Sequence, residues 1–228
     1  GIGGGYYGDA TIKITGDAVI KNATGGTFGA GIGGGGGGNG DVTISGNAKI
    51  ENAQGGYAGS GIGGGYGASG TVTIKDDSTV TATGGEAGAG IGGGVGGLAD
   101  VTIEGNATVN AIGGVGSAGI GGGYDAENDE DDGNGNQISI KSNESGAPTV
   151  NATGGESSID KKTGEKIPGG AGIGSGAGDA KANITLEGKV TIVAKAGEGN
   201  AAIGDMNGEQ VFTGLDGSIT RYDSEGND

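Results

Sequence analysis

The sequence predicts an all-β chain wound as a right-handed parallel β-helix, with three short strands in each coil of ~30 residues and about six to seven coils. Three observations carry this. First, the stretch Ala-Gly-Ile-Gly-Gly-Gly at Ala30 to Gly35 keeps returning, and places an isoleucine at Ile2, Ile32, Ile62, Ile91, Ile120, Ile173 and Ile203. Second, the steps between these isoleucines are 30, 30, 29, 29, 53 and 30 residues. A fixed period in this range marks a repeat architecture. Third, apolar residues alternate with polar ones between the isoleucines, which is the period of a strand.

Within a coil the glycine motif forms the first strand. The second carries the pairs Ile12/Ile14, Val42/Ile44, Val72/Ile74, Val101/Ile103, Ile138/Ile140 and Ile184/Leu186. Lys13, Thr43, Thr73, Thr102, Ser139 and Thr185 stand between the members of each pair. The third strand carries Ala18/Ile20, Ala48/Ile50, Ser78/Val80, Ala107/Val109, Pro148/Val150 and Val190/Ile192. Asp17, Asn47, Asp76-Asp77 and Asn106 make the turn between strands two and three, because such residues tolerate positive φ. Gly25-Gly26, Gly55-Gly56, Gly84-Gly85, Gly113-Gly114 and Gly154-Gly155 follow strand three. Parallel strands need long connections, and the rest of each coil supplies one. Right-handedness follows from the hand of parallel crossovers. Six coils at ~4.8 Å each would span roughly 29 Å.

The β-helix domain is read as residues 1–204, with loops inserted in the fifth coil. They run from Asp125 to Asn136, from Asn143 to Ala147 and from Glu156 to Pro168. The first and last of these account for the 53-residue step, and because the period resumes they are surface loops. Residues 205–228 read as a last partial coil or cap followed by an acidic tail.

Composition narrows the class. The chain has 228 residues, 64 of them glycine, and a formal net charge of -16. That composition alone would suggest disorder, but a disordered chain has no reason to keep seven isoleucines in register. No Gly-X-Y period supports collagen. A bundle of polyglycine II helices is the rival, opposed by the Val-Thr-Ile strands. Cysteine and histidine are absent, which removes disulfides and Cys- or His-ligated metals. No apolar run reaches the ~18 residues of a membrane span. The acidity argues against nucleic acid and anionic membrane as partners. A chain that starts inside a motif reads as a segment of a longer protein.

Few residues suggest chemistry. Gly31 to Gly36 matches G-x-G-x-x-G, but no helix follows, so a dinucleotide site is set aside. Period-two alternation points Gly31, Gly33 and Gly35 outward, predicting one nearly bare backbone face. Tyr6, Tyr66 and Tyr124 directly follow glycine motifs, and Phe28 and Tyr57 precede them. Rings at the edges of a glycine floor suit glycan or protein contact, and they equally suit shielding of the backbone. The Thr43, Thr73, Thr102, Ser139, Thr185 column invites an ice-binding reading. The adjacent Lys75, Glu104, Lys141, Glu187 column, of alternating sign, opposes it. Asn128, Glu130 and Asp132, followed by Gly133, have the alternate spacing of a calcium loop, a candidate Ca²⁺ site in which Ser139 replaces the usual bidentate Glu. For polysaccharide cleavage the chain offers a single arginine, Arg221, and no recognisable carboxylate pair.

The copies AGIGGG, VTISGNAKIENAQGG, GIGGGYGASGTVTIKDDSTVTATGG and AGIGGGVGGLADVTIEGNATVNAIGG resemble glycine-rich β-helix segments of large secreted or wall-attached proteins of Gram-positive bacteria. Such segments are commonly labelled adhesin-like or carbohydrate-binding. The resemblance implies an extracellular, non-catalytic module that contacts a glycan or a surface protein. The alternatives are a structural spacer that self-associates through its open coil end or glycine face, and a polysaccharide lyase or hydrolase.

Overall fold

The computed structural model describes residues 1–127, 135–178, 180–210, 212 and 215–227. The apolar period of the sequence becomes three stacked, mostly parallel sheets: a right-handed parallel β-helix. The first sheet is a ladder of two-residue strands, Ile2–Gly3, Ile32–Gly33, Ile62–Gly63, Ile91–Gly92, Ile120–Gly121 and Ile173–Gly174, followed by Ile203–Asp205 and closed by the antiparallel Gly208–Glu209. Each isoleucine pairs with the next in register. The second sheet stacks Ala10–Ile14, Gly40–Ile44, Gly70–Ile74, Ala99–Glu104, Asn136–Lys141 and Ala182–Glu187. The third runs from Val19–Ile20 and Ala23–Thr24 through Lys49–Gln54, Thr79–Thr83, Thr108–Ile112, Thr149–Thr153 and Thr191–Lys195 to Ser218–Tyr222.

The inward residues of the three sheets meet in one core. Ile32, Ile62, Ile91, Ile120, Ile173 and Ile203 are fully buried, with Ile44, Ile74, Ile103 and Ile140 from the second sheet and Ile50 and Ile192 from the third. Burying one such side chain stabilises the fold by about 1.5–3 kcal/mol. The turn after the second sheet needs a left-handed residue, supplied by Gly16, Gly46, Gly105 and Gly188, and by Asp76 at φ 62°.

The change from 30- to 29-residue steps has a local cause. Val80 and Ala82 of Thr79–Thr83 face Ile50 and Ala53 of Lys49–Gln54, so the register shifts there by one residue. The earlier coil carries a β-bulge and is one residue longer.

The expected bare glycine face does not form. Ala30 to Gly35 are all buried, as are Gly61 to Gly65 and Gly90 to Gly94. Alternation fails because the strand is only two residues long and Gly33, Gly63 and Gly92 have φ of 143°, 131° and 129°. A Cβ on Gly63 would lie 2.1 Å from the carbonyl oxygen of Gly92 in the next coil, so these positions point along the solenoid axis and not outward. Backbone packed on backbone, weighed in the sequence as a rival for the whole chain, is thus a local device inside the β-helix.

The outward columns of the second sheet stack as the pattern requires, Thr43 against Thr73, Thr73 against Thr102, Thr102 against Ser139 and Ser139 against Thr185. Glu104 pairs in register with Lys141, and Lys141 with Glu187. Among the described residues no ion pair joins this charged column. Ion pairs lie elsewhere, at Lys49–Glu51, Lys166–Glu198 and Arg221–Glu209. The alternating charges are registered but not bridged.

Candidate aromatic groove

On either side of each core isoleucine the glycine-rich chain makes a loop out to solvent and back. The first loop is closed by a turn in which Gly29 N–H donates to Gly26, Gly59 to Gly56 and Ser117 to Gly114. The second is closed by Gly8 N–H to Gly5, Gly38 to Gly35, Ala68 to Gly65 and Gly97 to Gly94. At the base between them Ala30, Ser60, Ala89 and Ala118 donate their N–H to Gly34, Gly64, Gly93 and Gly122. This pinches the two loops together around the isoleucine.

The two loops then join across coils. Tyr66 N–H donates to the Phe28 carbonyl at 2.8 Å, Val95 to Ala58 at 3.0 Å and Tyr124 to Ala87 at 3.3 Å. The result is a double ridge running along the solenoid, its interior glycine backbone and its crest the turn tips. Glycine is required inside because any Cβ meets a carbonyl: on Gly59 it would lie 2.1 Å from Gly29 O, and on Gly65 1.9 Å from Gly35 O.

The sequence-predicted aromatic residues sit on this crest. Tyr6, Tyr66 and Tyr124 share one turn position, taken in the intervening coils by Gly36 and Val95. Phe28 and Tyr57 occupy the tips of the first loop. The structure brings Phe28, Tyr57, Tyr66 and Tyr124 to a single groove of about 430 Å³ between the two rows of tips. Phe28, Tyr57 and Tyr66 are 43%, 57% and 50% exposed, so these rings cover the ridge only in part. The Phe28 and Tyr66 rings lie 5.6 Å apart and tilted at 58°. Tyr6 does not line the groove. Its ring packs edge-on against Tyr7 at 4.3 Å, and Tyr7 holds a left-handed φ of 59° where later coils have Gly37, Gly67 and Gly96.

Sequence reasoning missed several members of the groove. Val95 and Val115 line it at the repeat positions of Tyr66 and Tyr57, a relation visible in the 29-residue step. The loop from Glu156 to Pro168 is a hairpin pairing Ser158–Ile159 with Lys166–Ile167, and it closes one end through Ile159 and Ile167. Ser157 Oγ donates to Glu198 at 2.8 Å, and Lys166 Nζ pairs with the same carboxylate, tying the hairpin to the next coil.

The groove is apolar with a few charges. Glu86, Asp160 and Lys161 line it. Asp160 accepts from the backbone N–H of Lys162 at 2.6 Å and Thr163 at 3.1 Å, and the Lys162 bond first, then Thr163, holds its carboxyl below the usual range. It is a fixed anion and not a proton donor. Burial first, with Asp125 and Asp160 adding to it, raises the Tyr124 phenol above its ordinary value, so its hydroxyl stays a donor.

Other singled-out residues fall elsewhere. Asn128, Glu130 and Asp132 lie outside the described residues. Among the described residues no group of three or more His, Cys, Asp or Glu side chains is placed to hold a metal ion. Arg221 belongs to the end of the solenoid: its NH2 donates to Gln210 O at 3.1 Å and its Nε lies 3.3 Å from Glu209 Oε2. No helix among the described residues is long and apolar enough to cross a membrane.

Comparison with known proteins agrees with this architecture. The family model described as a beta helix repeat matches residues 42–66, 72–95 and 101–124. Searches of curated proteins and of solved structures gave no match. The matched segments each run from a second-sheet strand to the crest of the following ridge, so the matched repeat unit includes the groove-forming tips.

Proposed function

We propose that this chain is a non-catalytic β-helical module of a secreted or cell-surface bacterial protein, and that it contacts a glycan or a protein through the aromatic groove. The observation that carries the reading is the convergence of Phe28, Tyr57, Tyr66 and Tyr124 on one groove, the first three about half exposed and Tyr124 more buried. Large, rigid aromatic side chains give contact area at low entropic cost, which suits recognition. The groove's Asp160 is held ionised by backbone N–H groups, so it serves as an acceptor and not as a general acid. The rest of the solenoid acts as a rigid support, since each coil is locked to the next through three sheets.

The test compares wild type with the double variant Tyr57→Ala/Tyr66→Ala on glycan and peptide arrays, after circular dichroism shows both folded. The reading expects ligands held by wild type and lost by the variant. Identical patterns from the two proteins would remove the groove as a contact surface.

A further inference from the structure

The groove also says what shape of ligand it fits. Tyr66 and Tyr124 occupy the same turn position two coils apart, because Gly67 N–H bonds to Val95 and Gly96 N–H to Tyr124 in an unbroken ladder. At ~4.8 Å per coil the two turn positions lie ~9.6 Å apart along the axis. A polyproline II helix has three residues per turn at ~3.1 Å each, or ~9.3 Å per turn. The smaller Val95 between the two tyrosines leaves a slot of that length, with Tyr57 and Val115 on the opposite wall.

Ring orientation and charge point the same way. Phe28 and Tyr66 are in ring contact and tilted at 58° to each other, so they do not form a flat platform. A pyranose ring stacks best on a flat aromatic face, whereas proline-rich segments dock in aromatic-lined grooves. Prolyl carbonyls have no neighbouring proline N–H to satisfy them and so accept from tyrosine hydroxyls. Glu86 and Asp160 outnumber Lys161 along the groove, in a chain of net charge -16. Cationic flanks on the ligand complement that field.

We propose that the groove takes a proline-rich peptide segment with basic flanks, bound in polyproline II conformation along the solenoid axis. This rests on the reading of the groove as a contact surface and narrows its ligand to one class.

The probe is a short fluorescein-labelled peptide with two Pro-x-x-Pro turns between arginine pairs, followed by fluorescence anisotropy. Saturable binding is expected, weakened roughly tenfold or more by Tyr66→Ala and by Tyr124→Ala. Tyr7→Ala should bind as wild type, since Tyr7 lies outside the lining. Tyr66→Phe keeps the ring and removes only the hydroxyl, so it should fall between wild type and Tyr66→Ala, and it guards against a folding artefact. Glu86→Lys should weaken binding and flatten its salt dependence. Absence of saturation, or equal binding by the alanine variants, overturns the proposal. If an immobilised neutral β-linked glucan retards wild type but not Tyr66→Ala while the peptide stays unbound, the peptide proposal fails and the groove as a contact surface stands.

Discussion

The backbone N–H of Tyr66 donates to the carbonyl of Phe28 at 2.8 Å, and the two rings sit 5.6 Å apart above that bond. One residue belongs to the second loop of its coil and the other to the first loop of the coil before. Their approach is therefore set by the backbone ladder, which Val95 and Ala58 repeat without aromatic side chains. Phe28→Ala should cost about 1 kcal/mol or less in thermal or denaturant unfolding. A loss of several kcal/mol would mean that the ring is core and not surface.

The ridge interior makes the opposite prediction for glycine. Gly63 has φ 131° and its Cβ would meet the carbonyl oxygen of Gly92 at 2.1 Å, so a methyl group forces two coils apart. Gly26 lies on a loop tip, and a Cβ there meets nothing within 4 Å. Gly63→Ala should destabilise by several kcal/mol, at the level of overpacking added to backbone strain, roughly 3 kcal/mol or more. Gly26→Ala should be neutral or slightly stabilising. Equal effects at the two sites would refute the axial packing of the glycine strands.

The end of the solenoid offers a third test. Glu209 accepts the N–H groups of Ala202 and Ile203 on the last core rung, at 3.1 Å for Ile203. Gln210 N–H donates to Ile203 O at 2.8 Å, and its side-chain amide donates to Ala182 O. These groups stand where a further coil would pair. Arg221 holds Glu209 by charge, its Nε buried without an aligned hydrogen bond. Glu209→Ala should lower the melting temperature and raise the sedimentation coefficient as the freed edges pair between molecules. A variant that stays monomeric with unchanged melting would show that the edge needs no cover.

These three cases also mark what the sequence could convey. The core was legible because isoleucine at positions such as Ile62 and Ile91 has one physical use in a stacked coil, and its spacing survives insertions. The direction of Gly33 was not legible: glycine has no side chain to report which way its Cα faces, and alternation inferred from neighbours fails where φ is positive. The same limit hid the groove. Tyr66 and Phe28 are 38 positions apart in the sequence, and the hydrogen bond that unites them depends on loops folding back toward each other. Val95 and Val115 could have been found, because they stand one and two periods of 29 from Tyr66 and Tyr57. Ile159 and Ile167 could not, since an insertion has no repeat position to inherit.

The hairpin that closes the groove should respond to acid. The Lys166 ammonium first, and the Ser157 hydroxyl next, hold the Glu198 carboxyl below its ordinary range. A carboxylate whose folded-state pKa is depressed contributes stability that is present above its unfolded value and is lost as pH falls through the folded one. The attachment of the hairpin to the next coil is thus intact at neutral pH and released only below the ordinary carboxylate range. Asp160 has a depressed pKa as well, from its bonds to Lys162 and Thr163 N–H, but it organises the hairpin's own turn. The methyl resonances of Ile159 and Ile167, followed by NMR as pH is lowered, should shift in an acidic transition. Glu198→Gln should remove the component due to attachment and leave that of Asp160. An unchanged titration in Glu198→Gln would place the hairpin's anchor elsewhere, in the apolar packing of Ile167 and Tyr124 around Gly116.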